Sequence, residues 1–452
     1  MIRKTLFAAT LTVLGTSAIA AVSPEEAARL GKDLTPIGAE RAGNKDGTIP
    51  AWDGGLKQFP AGFKVGDAFR PDPFAADKPR LVITGKNADQ YKEQLTGITY
   101  ALLKRYPEYR VDVYPTRRPV ALPAKINENT AKNAVGAKSV EGGLAMDNVL
   151  PGIPFPIPKT GYEAMWNHLM RYSGVATFCK YDSFNVDSAG VATLSTTGLS
   201  YQEFPLFKTE NLDRVMKGSD PFWFIKQDYV GPARRAGERL LVIDHVNPIS
   251  QPRKAWQYLP GQRRVKLAPD ICCDTPAPGT AGASTYDDAF VFNGAMDRFD
   301  FKLVGKKEML IPYNAYKGVY NKDKAKATNP KFMDPDIVRW ELHRVWVVEA
   351  TLREGKRHVY SKRTFYLDED SWAALASDEY DARGQIYRAG FAYMAPSYDL
   401  PAPYTDMFAT YDLIARNYSL TGFVAETGGV KHVKPLADRE WTADALAGSG
   451  VR

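Results

Sequence analysis

The chain has 452 residues, 44% of them hydrophobic and 25% charged, with a formal net charge of +7. Those fractions belong to a globular protein and exclude a disordered or fibrous chain. The basic excess is mild and dispersed, which suits an anionic membrane surface but does not mark a nucleic-acid binder.

Arg3 and Lys4 precede a short apolar run, Leu6 to Gly15, and Ala18-Ile19-Ala20 supplies a small-x-small cleavage pattern. Residues 1–20 therefore read as a signal peptide cut before Ala21, and the run is too short to span a bilayer. Removal takes away Arg3 and Lys4 and no acid, which lowers the net charge from +7 to +5. Export places the protein in the periplasm of a Gram-negative bacterium, where disulfides are permitted. Cys179, Cys272 and Cys273 are the three cysteines. Either Cys179 pairs with one of the vicinal two, or all three remain thiols.

Ser23-Pro24-Glu25-Glu26 is a helix start. Residues 34–56 are rich in Gly, Pro and Asp and read as an ordered arm that docks Trp52. A helix is expected from Asn87, with Tyr91, Leu95, Ile98, Leu102 and Tyr106 at helical spacing and Pro107 as its stop. Tyr109 to Tyr114 alternates like a strand. Residues 121–159 read as a long connector, ending in an extended proline-rich run that turns Phe155 and Ile157 outward. Thr160 and Glu163 then form a capping box. The helix stripe is Tyr162, Met165, Trp166, Leu169 and Tyr172, with Asn167, His168 and Arg171 off its centre.

From Cys179 onward the pattern is mostly β. Candidate strands cover residues 239–244, 254–259, 263–267, 299–304, 342–351, 358–367 and 385–393, joined by short turns into an antiparallel sheet. The tail beyond about Pro401 reads as irregular, with strand or arm character.

No zinc, phosphate-loop, dinucleotide or nucleophile-elbow motif is present in the sequence. Asp244-His245 cannot pair simply, since neighbours in a strand face opposite ways. Glu369, Asp370, Asp378, Glu379 and Asp381 read as solvated turn residues. No catalytic residues, metal ligands or cofactor follow, and a non-enzymatic binding protein is expected. Two patterns suggest a ligand face: Trp256, Tyr258, Trp346, Val348 and Phe365 alternate along strands, and Arg263 and Arg264 stand with Arg253, Lys254 and Lys266 around one hairpin. An ordinary sheet core and a solvated edge explain them equally simply.

Four strings then stand out: LTPIGAERAGNKDGTIPAWDGG from Leu34, YRVDVYPTRR from Tyr109, GIPFPIPKTGYEAMWNHLMRY from Gly152 and PRKAWQYLPGQRRV from Pro252. Together they resemble the family called domain of unknown function 1329, over nearly the whole chain after residue 20. Cys272-Cys273 departs from it, where an aromatic residue is expected before Asp274. The resemblance implies an α+β, mainly antiparallel fold like that of the outer-membrane lipoprotein-sorting proteins LolA and LolB. That fold is an unclosed β-barrel with helices over its concave face. It further implies an arm and helices over residues 21–150, the half-barrel core over 151–400 and a C-terminal extension over 401–452. The implied role is carriage of lipid or another hydrophobic molecule, with an RND-type permease and an outer-membrane protein as partners. An adaptor bridging those partners, or less favourably an ester hydrolase, is the alternative.

Overall fold

Residues 22–448 are described by the computed structural model, and the expected signal peptide lies outside them. Ser23 accepts the Glu26 N–H and starts α1 (Pro24–Ala27). β1 (Leu81–Thr84) precedes a 3-10 turn over Ala88–Gln94 and then α2 (Gly97–Arg105). The single helix expected from Asn87 is thus broken. Thr96 is extended, and the Asp378 carboxylate receives the Gly97 and Ile98 N–H groups at 2.8 and 2.9 Å, fixing a new helix start there. Gly97 is needed for that approach, because a Cβ would lie 2.2 Å from Ile386 Cδ1.

β2 (Arg110–Val113) agrees with the expected strand. The expected connector instead holds α3 (Ala124–Gly136) and a small hairpin, β3 (Lys138–Val140) with β4 (Ala145–Asp147). The buried face of α3 carries Asn129, Thr130 and Asn133, which hides it from a search for apolar spacing. Those side chains bond the carbonyls of Leu150, Pro151, Ile153 and Leu212 and the N–H of Ile153. Phe155 does not point outward: it is buried, with its N–H and C=O both held by Asn167. α4 (Gly161–Leu169) has the expected capping box. Asn167 and His168 are as buried as the stripe itself, because the helix is enclosed on several sides.

The strands that follow are β5 (Ala176–Val186), β6 (Ala192–Glu203), β7 (Pro221–Gly231), β8 (Arg239–His245), β9 (Lys254–Leu259) and β10 (Arg264–Leu267). After a long loop come β11 (Phe299–Pro312), two single turns α5 (Tyr316–Val319) and α6 (Lys324–Ala327), then β12 (Trp340–Leu352), β13 (Lys362–Asp368), β14 (Ala374–Tyr380) and β15 (Ile386–Met394). The tail has the strand character expected of part of it and is more regular than expected, supplying β16 (Thr405–Asp412), β17 (Asn417–Phe423), β18 (Lys431–His432) and α7 (Ala443–Gly448).

Apart from the two strands of the small hairpin, every strand joins one 16-stranded sheet in the order β1-β2-β12-β13-β14-β15-β16-β17-β5-β6-β7-β8-β9-β10. β11 lies beside β12 and β18 beside β5. Pairing is antiparallel except for one bridge, Trp340 to Val113. Among the described strands β10 pairs only with β9, so the sheet is an unclosed, mainly antiparallel half-barrel. α4 lies on β11 and β12 over the concave face, while α2 and α5 cover the outer face at β15. Glu369, Asp370, Asp378 and Glu379 are buried at 1–3% exposure rather than solvated. Strand β14, absent from the expected set, carries the latter two inside the sheet.

Acids at the β13–β14 turn clamp the arm onto the concave face. Arg118 donates to both oxygens of Asp370 (2.8 and 2.7 Å) and to the Glu40 and Pro50 carbonyls (2.8 and 3.2 Å). Trp372 donates to the Ile37 carbonyl, and Trp52 donates to that of Val120, the docking expected of it. Asp368 lies beside them and accepts from Tyr313 and Ser371, while its Oδ1 is buried without a hydrogen bond. Burial and the charge of Asp370 push the Asp368 carboxyl up to about 7.

Removing one member of a buried pair leaves a bare charge, so Arg118→Met should cost about 3–5 kcal/mol, read from the urea midpoint. For Asp368, the folded state holds a proton that an unfolded aspartate releases near pH 4. Its contribution to stability is therefore lost as pH rises from about 4 to about 7. Asp368→Asn should remove that slope, gaining on the parent between those pH values by more than about 1 kcal/mol in urea unfolding.

Candidate functional site

Period-two alternation sets one row of inward side chains across the second half of the sheet. Cys179 on β5 stands opposite Ser200 on β6, Ser200 opposite Gln227 on β7, and Gln227 opposite Leu240 on β8. Tyr181, Gln202 and Tyr229 flank this row, and Phe408 of β16 stands at its end. The loop over residues 277–290 covers part of the row and lines a chamber of about 160 Å3 with it. A smaller cavity of about 40 Å3 adjoins it, sharing Gln202 and Phe290 in its wall and reaching Arg171 and Thr405.

Most polar atoms of the wall satisfy one another. Tyr181 donates to Gln227 Oε1 (3.0 Å), Gln227 to Ser200 Oγ (2.9 Å), Trp223 to Gln202 Oε1 (3.1 Å) and Gln202 to Tyr404 Oη (3.0 Å). Wall groups paired in this way leave aromatic and methylene surface for an occupant. The Arg235 guanidinium stacks 3.9 Å from the Tyr229 ring and is bound to Thr196.

The covering loop is pinned at several points. Ser195 donates to the Gly279 carbonyl (2.7 Å). Arg363, at 0% side-chain exposure, donates to Asp288 (2.9 Å) and to the Val291 carbonyl (3.0 Å). His358 pairs with Asp287, and Tyr360 donates to Asp288 (2.8 Å). Burial would raise the Asp287 carboxyl, but Arg363 and His358 outweigh it and hold the group well below the usual carboxylate range. His168 donates from Nε2 to the Phe292 carbonyl and accepts the Ala374 N–H at Nδ1, both at 3.0 Å. Burial and the nearby Arg171 push its pKa down to about 3, so the ring is neutral and its tautomer fixed.

The residues singled out from the sequence fall in three places. Trp256 and Tyr258 stand opposite Leu241 and Arg239, on the outer face, beneath Trp441 and Leu446 of the C-terminal segment. They therefore leave the concave lining, since register puts Gln257 and Ala255 on the inner side. Trp346, Val348 and Phe365 do face inward, but away from the chamber. Val348 and Phe365 are fully buried under the protein's own side chains, with the Phe292 ring 5.4 Å from Phe365. Trp346 is half-buried against Trp372 and Lys306. Arg263 and Arg264 are exposed at the β9–β10 turn, where Arg263 has φ 47°. Arg253 is separate from them and is bound to Asp244 and Asn293.

None of the cysteines is in a disulfide. Cys179 is in the chamber wall, and Cys272 and Cys273 are in the segment between β10 and β11. A hydrogen bond from Cys273, together with Arg298 and Arg253, brings the half-buried Cys272 thiol down to about 7. His343, Asp368 and Asp370 form the one group among the described residues with metal-ligand geometry. Arg118 already takes both Asp370 oxygens, Tyr313 and Ser371 take Asp368, and Glu341 pairs with His343. These commitments fit a structural network better than an ion.

Tyr181, Gln202, Gln227 and Tyr229 were missed because their strands were not among those expected. The available signal was strict alternation in which the inward side is polar rather than apolar.

Comparison with known proteins gives a consistent assignment. The chain is 41% identical over 446 residues to the uncharacterized protein PA3922 of Pseudomonas aeruginosa, covering 98% of this chain and 97% of that one. Among solved structures it is similar to a DUF1329 family protein from Desulfovibrio piger, at 14% identity and TM-score 0.41, over 60% of this chain and 91% of that one. It is also similar to a LolA superfamily protein from Nitrosomonas europaea, at 11% identity and TM-score 0.36, over 61% and 93% of the two chains. A family model matches residues 82–447. The chain belongs to the family described as protein of unknown function (DUF1329).

Proposed function

We propose that the protein is a non-enzymatic carrier of lipid-like or other hydrophobic molecules in the periplasm, holding part of its cargo in the covered chamber. The observation that carries this reading is the chamber itself, a pocket of about 160 Å3 between the sheet and the covering loop. A dry void of about 150 Å3 holds benzene, while pockets for larger ligands run from about 300 Å3. The covering loop must therefore retract to admit an acyl chain, and a carrier must also open to release it. The signal-peptide pattern supports export. An RND-type permease and an outer-membrane protein are the partners this reading proposes.

The adaptor reading is favoured by the filling of the concave face around Val348 and Phe365, which leaves no room for a ligand there. A hydrolase gains little: Ser397 and His432 lie 3.1 Å apart, but Ser397 is buried and neither lines the chamber.

Native mass spectrometry of the protein taken gently from its own envelope, with organic extraction of bound material, separates the two main readings. A carrier gives a discrete hydrophobic adduct. A clean mass that stays unchanged after incubation with phospholipid and fatty acid would leave the adaptor. The covering loop provides a second measurement. Arg363→Met strands two buried carboxylates and should cost about 3–5 kcal/mol in urea unfolding. Loop amides over residues 277–290 should then exchange hydrogen faster than those of the sheet.

A further inference from the structure

The structure assigns Arg171 as the receptor for an anionic head on the cargo, which makes that cargo a carboxylate amphiphile of the fatty-acid type. This inference rests on the carrier reading and narrows it.

Arginines elsewhere in the interior are paired with acids. Arg118 binds Asp370, Arg363 binds Asp288, Arg70 binds Asp399 and Arg339 binds Glu341. Arg171 breaks the pattern. It stands just past the end of α4, and among the described residues its bonds go to neutral groups: His168 O at 2.5 Å, His168 Nδ1 at 3.4 Å and Thr405 Oγ1 at 3.2 Å. Asp244, the acid in the same cavity wall, is already held through both oxygens by Arg253, at 2.7 and 2.5 Å. Among the described residues no acid pairs with it, and a cation partly withdrawn from water without a counter-ion is costly to hold. Burial brings the guanidinium down to about 10.

The missing partner has a definite place. Arg171 is half-buried, and it lines the 40 Å3 cavity beside the chamber. Its Nε is shielded from solvent and has no acceptor. Nε–H and one Nη2–H form the edge of the guanidinium that takes a carboxylate through two parallel bonds. A water needs about 10–15 Å3 of such space, so a cavity of about 40 Å3 has room for a carboxylate. Phe290 and Gln202 form the common wall between this cavity and the chamber. A head at Arg171 thus directs an attached chain past Phe290 towards the space lined by Tyr229 and Leu240.

The test is calorimetric titration of the purified protein with octanoate, 1-octanol and octyl phosphate. Octanoate should bind at least tenfold more tightly than octanol. Arg171→Met should abolish that preference. Equal affinity for octanoate and octanol in both proteins would overturn the assignment of Arg171 and leave the carrier reading standing. Octyl phosphate binding as tightly as octanoate would overturn the choice of a carboxylate head. Binding of none of the three would overturn the carrier reading as well. Should Arg171→Met fail to fold, carbon-13 NMR of carboxyl-labelled octanoate on the unaltered protein gives the same answer. The bound carboxyl should titrate at least one pH unit below the free acid, and an unshifted titration would overturn the proposal.

Discussion

An unclosed sheet of sixteen strands has two faces and two edges to protect, and the rest of the molecule answers that constraint. A closed barrel would remove the edges and a sandwich would cover one face with another sheet. Here the covering is done by segments with little regular structure. The arm over residues 34–56 and α4 fill one part of the concave face, the loop over 277–290 roofs another, and Trp441 with α7 covers the outer face at β8 and β9. Besides their own buried apolar groups, among them Ile37, Met165, Trp166 and Phe292, the arm and the loop are anchored by polar bonds from the sheet. The Arg118 and Arg363 networks are those anchors. Both place an arginine against acids in the interior, where an unmatched charge would be far more costly than in water.

The same constraint explains what could be read from the sequence. Strand β9 agrees to the residue, and β8, β12 and β15 agree within two residues, because these segments alternate and end in clear turns. Four quoted strings carried the family and, with it, the unclosed antiparallel fold. Two of the segments that failed have a polar buried side. α3 buries Asn129, Thr130 and Asn133, and β14 buries Ser377, Asp378 and Glu379. Hydropathy cannot tell such a side from a solvated one, because partners such as the Leu212 carbonyl for Asn129 and the Gly97 and Ile98 N–H groups for Asp378 are distant in sequence. The same blindness concealed the chamber, whose wall is built from Tyr, Ser and Gln. For Trp256 and Tyr258 the period was right but the face was not, since alternation gives two faces and does not say which is inner.

The interior thus divides by chemistry. Around Val348, Phe365 and Phe292 it is a packed aromatic core. Around Gln202, Gln227 and Tyr181 it is a paired polar wall with space inside. Arg171 lies at the junction, together with His168, whose neutral ring ties α4 to the roof and to β14 in one step.

The position of β16 and β17 has a consequence for how the molecule comes into being. They stand between β15 and β5, so Leu420 of the late chain pairs with Phe184, more than two hundred residues earlier. The meander β5 to β10 and the meander β11 to β15 each consist of neighbours in sequence and can zip locally. Their junction waits for the last tenth of the chain. Until that part is made, two half-sheets each display a long bare edge, the state most open to wrong pairing. A truncation that removed only the final fifty residues would take out the middle of the sheet rather than trim its end.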